Sequence, residues 1–147
     1  MNYATVKPAV LQVEMHPYLS QAKLLRMAQE CGMQVMAYSN LAGASYVELG
    51  MSQAVDSPTN LPEVNAIATA HSKSSAQVLL RWAVQRGTVA IPKSSKIERV
   101  IENITVFDFE LTADEMAVID ALNKGIRYND PGNYAEPAFG TFCPIYE

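Results

Sequence analysis

The stretch from Ile91 to Asn103 gathers the charged and hydroxyl side chains best spaced for chemistry in this 147-residue chain. A short apolar run, Val89-Ala90-Ile91, stops at Pro92. A basic turn, Lys93-Ser94-Ser95-Lys96, follows, and a helix then carries Glu98, Arg99, Glu102 and Asn103. A strand that turns into a helix start presents unpaired backbone N–H groups and the positive end of the helix dipole, and both favour an anion. Lys93 and Arg99 add full charges at that mouth, a combination better matched to phosphate than to carboxylate. The same residues also suit a solvated helix start with ordinary surface charges, and the segment alone supports the two readings equally.

Positioning such a turn takes a scaffold, and the chain alternates strand and helix patterns. Val10–Glu14 is a short apolar run with Gln12 and Glu14 interspersed, bounded by Pro8 and Pro17. Leu24, Leu25, Met27, Ala28 and Cys31 recur at helical spacing over residues 22–30, with Ser20 or its neighbours as cap and Gly32 as terminator. Residues 33–38 read as a second strand continuing to Ser39. A Gly-, Ser-, Asn- and Pro-rich span then runs from about residue 40 to 61, a length that marks a lid or an unstructured stretch. Helices are predicted over 62–70, with Pro62 in the first turn, and from Ser74 to Gly87, where Ser74 and Gln77 form a capping-box pattern. A third strand over 88–91 and a helix over 96–103 follow. Thr112 and Glu115 form a second capping-box pattern ahead of Met116, Ile119 and Leu122, and the chain from Gly125 onward reads as loop.

Composition narrows the function. A net charge of −4 gives no support for binding nucleic acid or a membrane surface, and no apolar run approaches the length of a bilayer span. Cys31 and Cys143 are too few and too far apart for a disulfide framework or a metal site, so a reducing, cytoplasmic setting is expected, the start lacking the zones of a signal peptide. Apolar strands separated by amphipathic helices imply a parallel sheet with crossover helices, and functional-looking strand ends suit a (β/α) barrel. Such a barrel needs eight strands and about 250 residues. Three strands leave both sheet edges unpaired, which predicts an incomplete domain and self-association through those edges.

Leu11-Gln-Val-Glu-Met-His-Pro-Tyr18, Ala37-Tyr-Ser-Asn-Leu41, Ala76-Gln-Val-Leu-Leu-Arg-Trp82, Ile91-Pro-Lys-Ser94 and Val106-Phe-Asp-Phe-Glu-Leu111 resemble, in order and spacing, successive signatures of the aldo-keto reductase family. Arg127-Tyr-Asn-Asp-Pro131 is most similar to the xylose-reductase-like and aldose-reductase-like members, and the likeness runs over residues 10–127. The resemblance implies an α/β fold, here strands six to eight of a (β/α)8 TIM barrel with their helices, and residues 128–147 as a C-terminal loop. It implies reduction of aldehydes or ketones with NADP(H).

The resemblance also implies roles. Gln12 matches a glutamine that bonds the nicotinamide carboxamide, and Tyr38 a tyrosine that stacks on the nicotinamide ring. Ser39, Leu41 and Ser45 fall in the segment that wraps the pyrophosphate. There the family usually has Ser-Pro-Leu-Gly and this chain has Ser39-Asn40-Leu41-Ala42, which leaves the course of that loop open. Lys93, Ser94 and Arg99 match residues that grip the adenosine 2′-phosphate, which favours NADP over NAD; Glu102 and Asn103 match those contacting the adenine amino group. Lys96 either reinforces the phosphate site or faces solvent. On residue context alone, Gln12 also reads as a strand glutamine satisfied by neighbours, and Tyr38 as a core aromatic. His16, His71, Trp82, Leu79 and Leu80 read as structural.

The family's tyrosine, lysine, aspartate and histidine of catalysis match nothing in this chain, so no catalytic residue is assigned and the chain alone is expected to lack reductase turnover. Phe139, Phe142 and Tyr146 are candidate substrate-pocket walls. A catalytically inactive nucleotide-binding or interaction fragment, and a remnant that folds poorly, are the alternatives.

Overall fold

Parallel pairing organises the computed structural model, which describes residues 3–42, 46, 57–130 and 140. Strands β1 (Val10–Glu14), β2 (Gln34–Tyr38) and β3 (Val89–Ala90) lie in the order β1-β2-β3. Val10 stands opposite Gln34 and Glu14 opposite Tyr38, while Met36 and Ala37 stand opposite Val89 and Ala90. Because side chains alternate along a strand, Gln12, Glu14, Met36, Tyr38 and Val89 share one face. Leu11, Val13, Val35 and Ala37 share the other, where Met15 and the α1 (Ala22–Glu30) residues Leu25 and Ala28 pack against them.

A second core is built between helices α2 (Pro62–Ala70), α3 (Ser75–Gln85) and α5 (Ala113–Asp120). Val64, Ile67, Val78, Leu79, Trp82 and Ile119 are buried in it, and Leu41 and Ala90 pack on its margin. The two loops leaving β2 and β3 are thereby anchored on the same helical layer. Helix α4 (Ile97–Ile104) buries none of its residues.

Local chemistry explains most boundaries. Both capping boxes form: Ser74 accepts from the Gln77 N–H and Thr112 from the Glu115 N–H, and in each the reciprocal bond is present. Gly32 (φ 71°) and Gly87 (φ 80°) take the left-handed conformation that ends α1 and α3. The start of α1 falls beside Ser20, as expected, but takes no side-chain cap: its N-cap residue is Gln21 at φ 47°. Ser20 is engaged elsewhere, its N–H donating to Asn123 Oδ1 at 3.0 Å and its carbonyl accepting from Arg86 Nη2 at 2.7 Å. β3 is shorter than residues 88–91 because Thr88 is drawn back to close α3, its Oγ1 donating to the Ala83 carbonyl at 2.7 Å, and because Pro92 has no N–H to extend the ladder. Within the irregular span, Pro58–Asn60 forms a 3-10 turn. Ser45, Phe139, Phe142, Cys143 and Tyr146 lie outside the described residues. Among those described, no helix is long and apolar enough to cross a membrane.

Candidate functional site

The loops leaving β2 and β3, the N-terminal end of α3 and one side of α4 surround a pocket of about 660 Å³. Of the residues singled out from sequence, it brings together Ser39, Leu41, Lys93, Ser94, Arg99, Glu102 and Asn103. These seven come from two loops and a helix separated by more than fifty positions in the chain. Gln12 and Tyr38 do not line it. They sit on the sheet face that no helix covers among the described residues, on adjacent strands and two residues apart in register. Gln12 Nε2 donates to the Met36 thioether at 3.2 Å, a weak acceptor that leaves the amide available for a better one.

The turn between β3 and α4 holds its own geometry. Ser94 Oγ accepts from the Lys96 N–H at 3.2 Å and bonds the Lys96 carbonyl at 3.2 Å, tying down the entry to α4. Lys93 lies on the pocket wall, exposed, while Lys96 does not line the pocket. At the far end of α4, Gln77 Nε2 donates to the carbonyls of Glu102 at 3.2 Å and Thr105 at 3.0 Å, while its Oε1 accepts from Ser74 N at 3.1 Å. One buried glutamine thus completes the α3 capping box and anchors the helix that carries Arg99, Glu102 and Asn103.

Several lining residues were not assigned to the site from sequence. Asn40, Ala42 and Tyr46 come from the loop after β2, and Ser57, Thr59 and Asn60 from the segment around the 3-10 turn. Ser74, Ser75 and Ala76 are contributed by the start of α3, whose capping box was legible although its direction was not. The loop after β2 holds two non-glycine residues at positive φ: Ser39, which matches the Ser-Pro-Leu-Gly pattern, at 59°, and Ala42, which stands at its glycine position, at 27°. Ser39 Oγ hydrogen-bonds the Tyr46 hydroxyl, and Ala42, Tyr18, Tyr46 and Tyr128 form a small buried cluster behind the loop.

Beyond the carboxyl end of β1 lies a second polar arrangement. Glu14 and His16 are fully buried, with His16 Nε2 3.0 Å from Glu14 Oε1. The same carboxylate accepts from the N–H groups of Tyr128 at 2.9 Å and Asn129 at 3.1 Å, and Arg127 Nη1 stands 3.7 Å away. Burial pushes the Glu14 carboxyl up, but the His16 bond and the two backbone donors together outweigh it and hold the group below the ordinary carboxylate range. This cluster fixes the segment after α5 across the end of the strand. His71, at the end of α2, bonds both carboxylate oxygens of Glu115 at 2.9 and 3.0 Å.

Similarity to known proteins agrees with this architecture. The sequence profile described as the Aldo/keto reductase family matches residues 1–124. The chain is 45% identical over 139 residues to a probable NAD(P)H-dependent D-xylose reductase of Emericella nidulans, covering 93% of this chain and 44% of that protein. It is 46% identical over 133 residues to an NAD(P)H-dependent D-xylose reductase of Candida tropicalis, covering 89% and 41%. Among solved structures, a Bombyx mori aldo-keto reductase in complex with NADP superposes with a TM-score of 0.79 at 31% identity, over 92% of this chain and 43% of that one. The chain thus spans less than half the length of these relatives, and its parallel strands and helices are part of a (β/α)8 barrel. Sequence match and superposition lead to one conclusion: the chain belongs to the aldo/keto reductase family.

Proposed function

We propose that this chain is the NADP-binding portion of an aldo-keto reductase acting on aldehydes or ketones, and that it carries no catalytic residue of its own. One observation carries the reading. Lys93, Ser94 and Arg99, with Glu102 and Asn103 one helical turn further on, converge with Ser39 and Leu41 on a single pocket of about 660 Å³, a volume within the usual range for small-ligand sites. The donor set fits the dinucleotide. A guanidinium, an ammonium and a hydroxyl suit a phosphate monoester, and the polar carboxylate and amide of Glu102 and Asn103 suit an adenine amino group. The NAD(P)H dependence of the xylose reductases supports a nicotinamide dinucleotide as ligand, and the NADP complex of the Bombyx mori enzyme supports NADP.

In this reading Lys93, Ser94 and Arg99 hold the 2′-phosphate, and Gln12 and Tyr38, on the open sheet face beside the pocket, orient the nicotinamide. Ser45 belongs to the pyrophosphate segment by resemblance. The bound dinucleotide supplies the hydride for carbonyl reduction. The proton donor for the carbonyl oxygen comes from outside this chain, so the chain alone binds nucleotide without turning over aldehyde, in a cytoplasmic setting.

Isothermal titration of the purified chain with NADP+ and NAD+ tests the proposal. Tighter binding of NADP+ by about tenfold or more is expected, since the two ligands differ by one charge-assisted phosphate contact set. Absence of binding, or equal affinity for both, would sink it. Adding a polypeptide with the preceding strands of a related reductase and assaying aldehyde reduction tests the assignment of catalysis outside the chain; turnover by the chain alone would contradict it.

A further inference from the structure

Gln77 does not line the pocket, yet its one amide group bonds both of the helices that do. The residue is 7% exposed. Its Oε1 accepts from the Ser74 N–H at 3.1 Å and so fixes the start of α3, where Ser74, Ser75 and Ala76 line the pocket. Its Nε2 donates to the carbonyls of Glu102 at 3.2 Å and Thr105 at 3.0 Å, in the last turn of α4 and at its cap. That helix carries the lining residues Arg99, Glu102 and Asn103. Because no residue of α4 is buried, apolar packing does little to set its direction, and polar bonds at its ends weigh correspondingly more.

The bond to Glu102 is the informative one. On the nucleotide reading above, on which this inference rests, the carbonyl that Gln77 holds belongs to a residue whose side chain meets the adenine. A helix end free to swing would carry Arg99 and Asn103 with it, and hydrogen bonds weaken steeply as their geometry departs from the optimum. We propose that Gln77 is a positioning residue for the adenosine half of the nucleotide: it sets the spacing between the start of α3 and α4, and so the width of the pocket between them. Coupling of this kind is reciprocal, so a bound adenosine phosphate steadies the Gln77 bonds as much as they steady its site.

Gln77→Glu separates the two sets of bonds. A carboxylate at this position still completes a capping box with Ser74 but has no N–H to give the Glu102 and Thr105 carbonyls. Thr112→Ala, which opens the α5 capping box and does not touch the pocket, is the control for a general loss of stability. Each variant, its folding checked by circular dichroism, is titrated with NADP+ and adenosine 2′-monophosphate. Expected is a loss of about tenfold for both ligands in Gln77→Glu, with wild-type affinity in Thr112→Ala. Unchanged affinity in Gln77→Glu, or an equal loss in Thr112→Ala, overturns the proposal. If Gln77→Glu does not fold, the wild-type chain provides the test by nuclear magnetic resonance. Solvent exchange of the Gln77 side-chain amide protons should slow on saturation with adenosine 2′-monophosphate, and an unchanged rate overturns the proposal. A wild-type chain that binds neither ligand removes the nucleotide reading itself, whereas wild-type affinity retained by Gln77→Glu removes only the role of Gln77.

Discussion

Lys93 and Arg99 stand at the pocket wall in solvent-exposed positions, so their charges act on a ligand through a screened field rather than a dry interior. Each substitution, Lys93→Ala or Arg99→Ala, is therefore expected to weaken NADP+ by about tenfold and to leave NAD+ nearly unchanged. The wild-type preference should shrink as salt is raised. Titrations of both nucleotides at low and high ionic strength check this; a parallel loss for NAD+ would assign the two side chains a general rather than a phosphate-specific role. These residues were legible because charge type and spacing around a strand-to-helix turn are local properties. Asn40, Ser57, Thr59 and Asn60 were not, since what places them at the pocket is a hydrogen bond to Ile91 and the course of a loop, neither of which leaves a periodic signature. Gln12 and Tyr38 were chosen by resemblance, and the register places them on one face of adjacent strands without bringing them into the same pocket.

Among the elements, α4 depends on its neighbours more than on itself. It buries no residue, has no side-chain N-cap bond and is fastened at its carboxyl end by Gln77. Gln77→Leu keeps the bulk of the side chain but strands the Glu102 and Thr105 carbonyls and opens the α3 capping box. A loss of about 1–3 kcal/mol is expected, read as a lower urea midpoint. Ser74→Ala removes only the cap and should cost about 1 kcal/mol. Equal losses in the two variants would show that Gln77 contributes nothing beyond the cap. A different kind of fastening ties β1 to the segment after α5. Glu14→Gln discards the charge that His16, Tyr128 and Asn129 are arranged around, and about 3 kcal/mol of destabilisation is expected. Because the Glu14 carboxyl is held below its ordinary value of 4.5, its contribution is complete above that pH and is lost as pH falls through the lower folded value. Glu115, similarly lowered, adds to the loss: burial raises its carboxyl, while the Thr112 and His71 bonds more than compensate. Urea midpoints should therefore be flat from neutrality to about pH 5 and fall below it, the fall being shallower in the Glu14→Gln variant. An equally steep fall in that variant would clear Glu14 of the effect. Strand and helix order, both capping boxes and the glycine stops were legible because each is written within a few residues. The left-handed start of α1 and the truncation of β3 were not, because Ser20 and Thr88 are drawn away by Arg86, Asn123 and Ala83, partners that only the folded chain brings near.

At the scale of the whole molecule, the sheet ends in two edges. Among the described strands β1 and β3 each pair only with β2, so each offers a row of backbone groups along its outer side. Next to β3, the apolar stripe of α4 and the turn after it is uncovered, with Ile104 70% and Phe107 67% exposed and Ile97, Val100 and Ile101 beside them. A groove of about 460 Å³ between α3, β3 and α4 continues that surface, lined by Leu80, Val84, Val100, Ile104 and Phe107. A helix with so apolar a stripe is normally buried along it, and in an eight-stranded barrel strands lie on both sides of every strand and the helices form a continuous ring. The surface exposed here therefore has the composition of an interior rather than of a protein exterior. For the chain by itself the expected consequence is association: light scattering should give a mass that rises with concentration, and Ile101→Lys with Ile104→Glu should lower it while leaving the helical circular-dichroism signal in place. A mass equal to one chain at every concentration would mean that this surface is tolerated in water. Supplying the preceding strands of a related reductase should compete with self-association, since both would cover the same edge and the same stripe. Addition of that polypeptide is thus expected to lower the scattering mass toward a one-to-one complex, and the double substitution should weaken the complex as it weakens the self-assembly. Independence of the two, with the variant still forming the one-to-one complex at wild-type affinity, would place the barrel contact on the β1 edge instead.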